Sequence, residues 1–157
     1  MAGSFSRIII HLTICSYRRA PFLNERVEAE LYSYLGGTIN GLGGKSITVN
    51  GWRDHVHMLF HLPSTHALSD FIRELKKTSG KFIREHLSLQ GFQWQKGYGA
   101  FSVDHHAIER TANYIRKQHE HHQAKSSREE YRGLLEEYGV PFDPRYLEDE
   151  EEEEEPT

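Results

Sequence analysis

Residues 52–62 alternate so regularly that they can only be a strand with two unlike faces. Side chains two apart on a strand point the same way. Val56, Met58, Phe60 and Leu62 therefore share one face, with Asp54 where the segment begins, and His55, His57, Leu59 and His61 share the other. The first face needs helices over it, and the second suits a half-open functional surface. Asn50-Gly51, just ahead, is the strongest short hairpin signal available and predicts a turn back to a short strand over 46–49.

The remaining elements must supply partners for that strand. Residues 7–16 hold Ile8, Ile9, Ile10, Leu12 and Ile14 and predict a buried strand. Pro21 and Asn24 open a helix with Val27, Leu31, Tyr34 and Leu35 on one face, and the glycines at 36–37 and 41–44 surround its end. Pro63-Ser64-Thr65 leads into a helix over 66–88, with Leu68, Phe71, Ile72, Leu75, Phe82, Ile83 and Leu87 at helical spacing. Two short strands are expected at 92–94 and 98–103. Asp104 then caps a helix over 105–125 that carries Tyr114, and a last helix spans 128–138 before Gly139 and Pro141. The order β-α-β-β-α-β-α predicts an α+β, ferredoxin-like (RRM-like) antiparallel sheet with two helices on one face and an additional C-terminal helix bearing the tyrosine.

At 157 residues, 37% of them hydrophobic, the chain can bury one real core and is too short for two. No apolar run approaches the ~18 residues of a membrane span. No signal peptide is expected, and Cys15, the single cysteine, excludes an internal disulfide; a cytoplasmic protein follows. The net charge of −4 conceals an asymmetry, because Glu148 to Glu155 are eight acidic residues in a row, and without them 15 acidic face 19 basic residues. Residues 1–147 are thus one mildly basic domain, and 148–157 an acidic tail expected to be disordered.

Several groups could carry chemistry, each against a plainer reading. His55 and His57 could share one metal ion, although two ligands do not complete a site and most histidines bind none. Tyr114 and Gln118 stand four apart, neighbours on one helix face. Tyr114 lies about 100° round the helix from Ile115, away from the core stripe of Ile108, Ala112 and Ile115. It could equally be a hydrogen-bonded tyrosine, and Gln118 a solvated residue. Four consecutive residues, His119 to His122, point in different directions and suit packing or surface roles better than one metal. Arg73, Lys77, Lys81 and Arg84 form a basic stripe on the 66–88 helix, either a solvated face or a track for phosphates. Trp94, Lys96, Tyr98 and Phe101 interleave aromatics with a cation, as single-strand binders do, although Phe101 fits a strand core better.

Taken together, these residues resemble the HUH-type single-tyrosine transposases of bacterial insertion sequences and the related REP-associated tyrosine transposases. The matching segments are Asp54 to Leu59, Ser79 to Phe82, Trp94 to Val103, Tyr114 to His122 and Glu129-Glu130-Tyr131, spread over residues 6–147. The resemblance implies that His55 and His57 are paired metal ligands, Gln118 the third ligand and Tyr114 the nucleophile. It implies Mg²⁺ or Mn²⁺; imidazole favours the latter and abundance the former. It further implies a homodimer acting on single-stranded DNA near a hairpin, through a 5′-phosphotyrosine link and a free 3′-OH. In some members the tyrosine helix of one subunit completes the site of the other. The acidic tail is not part of the family pattern. Two other readings stand beside this one: a non-catalytic single-strand DNA or RNA binding module on the same fold, and a phosphoesterase using metal-bound water.

Overall fold

The computed structural model describes residues 3–144, so the acidic tail lies outside the described residues. Four strands form one antiparallel sheet: β1 (Ile9–Cys15), β2 (Lys45–Trp52), β3 (His55–His61) and β4 (Gly99–Val103), in the order β2-β3-β1-β4. That order, with α1 (Glu25–Gly41) and α2 (Leu68–Glu85) as the two crossovers, is the expected ferredoxin-like arrangement.

Alternation along β1 and β3 sorts the sheet into two faces. Ile10, Leu12, Ile14, Val56, Met58 and Phe60 meet Val27, Leu31, Leu35 and Ile39 of α1 and Phe71, Ile72, Leu75 and Ile83 of α2 in the main core. Each such side chain, fully buried, stabilises the fold by roughly 1.5–3 kcal/mol. Asn24 caps α1 by accepting from the Arg26 amide at 2.9 Å. On the opposite face Ile9, Leu59 and Val103 gather under Ala112 and Ile115 of a third helix, α3 (Ile108–Arg116).

The hairpin corrects one expectation. Asn50 and Gly51 are not the turn but lie inside β2, paired with His57 and Val56, and the chain reverses at Arg53-Asp54. Gly51 is required for close approach. A β-carbon there would collide with the carbonyl oxygen of His55 and come within 3.1 Å of the Val56 Cα and the Leu23 side chain. The strand expected at 92–94 is reduced to a single bridge between Ser16 and Trp94.

The backbone groups into two compact units, one through Gln118 and a second from His119 onward. A short helix, α4 (Gln118–His121), begins at that boundary, and the second unit holds α5 (Ser127–Glu137), whose first turn is capped by Ser126 Oγ accepting from the Glu129 amide at 3.2 Å. Within it His122 Nδ1 donates to the Lys125 carbonyl at 2.9 Å, and Nε2 lies 3.3 Å from a Glu130 carboxylate oxygen.

Candidate active site

β3 delivers His55 and His57 to the sheet's second face, where both are buried. His55 Nδ1 lies 2.8 Å from the Asp54 carboxylate, which can only accept, so this nitrogen carries the proton. Its other nitrogen, Nε2, is aimed at Gln118 Oε1, 3.2 Å away. His57 is held differently: its Nδ1 meets Nε2 of His11 at 2.8 Å. His11 comes from β1, is 1% exposed, and lies against Phe101 as well. Tyr114 is half-buried above this group, its ring centre 6.1 Å from that of His57 and 6.3 Å from that of His11.

The donor set fits a divalent cation. Imidazole Nε2 of His55 and the carbonyl Oε1 of Gln118, 3.2 Å apart, are both atoms of types that can ligate a divalent cation when the imidazole is neutral. Adjacent ligands of a six-coordinate ion with bonds of about 2.1 Å stand about 3 Å apart, close to that separation. Nδ1 of each histidine is engaged, His55 by Asp54 and His57 by His11, the arrangement in which a neighbouring carboxylate or imidazole orients a metal-binding histidine. His55, His57 and Gln118 therefore form the set that could hold the ion.

Tyr114 is positioned from two sides. Ala112 and Ile115 anchor α3 on the sheet, and Tyr114, next to Ile115, leans over the edge of that contact. The helix expected to run unbroken over 105–125 instead stops at Arg116, where Lys117 leaves helical geometry (φ −96°, ψ 23°). The cause lies in β2: Asn50 Nδ2 donates to the carbonyls of Ile115 at 3.0 Å and Arg116 at 3.1 Å, satisfying groups that a longer helix would have bonded internally. Tyr114 and Gln118 thus sit on either side of a break, not along one helix face.

The other expected site residues lie elsewhere. Arg73, Lys77, Lys81 and Arg84 are exposed on α2, in the layer on the sheet's first face, away from the histidines. Arg73 pairs with Asp70 at 2.9 Å, and Arg84 donates to the Phe92 carbonyl at 3.1 Å. Trp94 is a structural residue: its Nε1 donates to Ser79 Oγ at 3.0 Å, and its ring packs edge-on against Phe22 and Phe92. Lys96 is exposed in the loop after it, a loop that Lys76 ties to α2 through the carbonyls of Gln95 and Gly97. Burial lowers the Lys76 pKa. His61, at the far end of β3, also has a lowered pKa, through burial first and then the positive charges of Arg7, Lys45 and His105. His11 and Asn50 were not anticipated from sequence. His11 sits in an apolar run where it reads as core, and Asn50 beside Gly51 reads as a turn.

A ferredoxin-like sheet carries a buried histidine pair on the face away from α1 and α2, under a helix bearing a tyrosine, and this combination points to a class of DNA strand-processing domain. The model of the "Transposase IS200 like" family matches residues 4–118, most of the chain and all of the site just described. The chain belongs to that family, whose members are DNA-cleaving enzymes of transposition. In structure it is similar to a candidate transposase from Deinococcus radiodurans R1, with a TM-score of 0.60 at 22% identity over 75% of this chain and 95% of that one. It is also similar to a REP-associated tyrosine transposase bound to a REP hairpin, with a TM-score of 0.56 at 15% identity over 78% of this chain and 73% of that one. At these identities the two structures speak for the fold. No curated protein matches the chain. Among the described residues no helix is long and apolar enough to cross a membrane.

Proposed function

We propose that the protein cleaves and rejoins single-stranded DNA by attack of Tyr114 on a phosphodiester held at His55, His57 and Gln118. The observation that carries this is the meeting of His55 Nε2 and Gln118 Oε1 at 3.2 Å beside Tyr114 on one sheet face. A bound Mg²⁺ or Mn²⁺ would withdraw charge from the phosphate and orient it for in-line attack. Asp54 and His11 each engage Nδ1 of one imidazole and so orient the two rings that would hold the ion. Tyr114 Oη forms the new bond to phosphorus, and the bond from phosphorus to the 3′ oxygen breaks. The phenol gives up its proton, and the departing 3′ oxygen gains one from water. With a free pKa of about 10, the phenol needs the charge-withdrawing centre beside it. The product is a 5′-phosphotyrosine link that a different 3′-OH can reverse without ATP.

The substrate on this reading is a single strand folded near a hairpin, in keeping with the hairpin bound by the REP-associated relative. The working form is a homodimer acting in the cytoplasm. The test is incubation with Mn²⁺ or Mg²⁺ and single strands drawn from the flanks of the gene. A denaturation-resistant protein–DNA adduct should form, disappear with EDTA, and be absent in Tyr114→Phe. DNA binding without any adduct would instead favour the non-catalytic binding module, and turnover that survives Tyr114→Phe would favour a metal-water phosphoesterase.

A further inference from the structure

β1 and β3 end together at the pair Cys15–His55, and β2 closes on His55 through Trp52. Two tight turns therefore leave the sheet at the end where the histidine site begins: the 3₁₀ turn Tyr17–Arg19 and the reversal at Arg53-Asp54. They are braced against each other. The Ser16 amide donates to the Asp54 carbonyl, and the Phe22 and Leu23 amides both donate to the Arg53 carbonyl, all at 2.8 Å.

The residues at the bends of these turns are arginines in a backbone conformation that suits glycine. Arg18 has φ 53°, Arg19 φ 51° and Arg53 φ 49°, and Ser88 is the only other non-glycine at positive φ among the described residues. Glycine would fit all three positions without steric cost, so strain is retained where a long cationic side chain stands. Backbone strain of this kind concentrates at functional sites. Arg18 and Arg53 are exposed, and each guanidinium lies over an aromatic ring, Arg18 over Tyr17 at 5.2 Å and Arg53 over Trp52 at 5.1 Å. Gln95 Oε1 accepts from the Arg18 amide at 3.3 Å, which brings the exposed Lys96 to the same end of the sheet.

We propose that Arg18 and Arg53, with Tyr17 and Trp52, form the surface that holds the single-stranded DNA backbone beside the scissile phosphate. Guanidinium groups pair with phosphate oxygens, and rings interleaved with cations accept bases of any sequence. The inference rests on the strand-cleavage reading above and transfers the DNA path from the α2 stripe to the strand ends.

Anisotropy of fluorescein-labelled oligo(dT) with the full chain, over a salt series in EDTA, tests it. The variant R18Q/R53Q should weaken binding about tenfold and flatten the log–log salt slope by about 1.4, at roughly 0.7 per lost phosphate contact in single strands. R18K/R53K should recover most of that slope, which a merely damaged fold would not. K77Q/K81Q on α2 should match the wild type. A wild-type slope in R18Q/R53Q, or a larger loss in K77Q/K81Q, overturns the proposal. The adduct assay is scored separately: a wild type that binds oligo(dT) through these arginines yet never forms an adduct rejects the Tyr114 chemistry and leaves the surface standing.

Discussion

The two faces of one sheet obey opposite rules. On the α1–α2 face, Leu12, Met58 and Phe60 belong to the apolar core and are fully buried. On the α3 face, His11, His55 and His57 are almost as completely buried, yet each holds a polar partner at 2.8 Å. Both faces exclude water. One does so to make the fold stable, and the other to fix the direction of nitrogen lone pairs. Burial alone therefore does not mark the core of this protein; the chemistry of what is buried does.

That contrast can be broken experimentally. The largest effect is expected from Tyr114→Phe, which removes one oxygen from the second face: covalent adduct should vanish while the melting temperature stays within a few degrees. Phe60→Ala should do the reverse. It should cost about 3–5 kcal/mol in urea unfolding through transfer and cavity terms, while the protein that remains folded binds Mn²⁺ normally. Asp54→Asn should lower Mn²⁺ affinity about 10–100-fold by calorimetry, as loss of a partner behind a metal ligand does, with little change in unfolding. A large loss of stability in that variant would mean that the two faces are not separable. Asn50→Ala should be mildest for stability, about 1 kcal/mol for its hydrogen bonds. Its sharper readout is a slower adduct rate at saturating metal, because the end of α3 is no longer held.

Much of this was legible in the sequence. The alternation through Val56, Met58 and Phe60, and the helical spacing of Phe71, Leu75 and Ile83, depend on local geometry and gave the layers directly. The site's histidines, Tyr114 and Gln118 were visible as types and spacings. Features set by distant residues leave no such local signal. The break after Arg116 has no glycine or proline to announce it, since its capping donor is Asn50, 66 positions back. Asn50-Gly51 has the chemistry of a turn but uses it otherwise, the amide to grip α3 and the missing side chain to let strands approach. Trp94 carries the composition of a nucleic-acid platform, yet the Ser79 hydroxyl claims its only donor.

Gly51 has a consequence for anyone who searches this protein for essential residues by random mutagenesis. It is none of His55, His57, Gln118 and Tyr114, yet any replacement pushes on the backbone of His55. Alanine or serine at 51 will be recovered among inactive clones and will behave as a metal-binding defect. A map of function built from such a screen would draw the active site one strand wider than its chemistry.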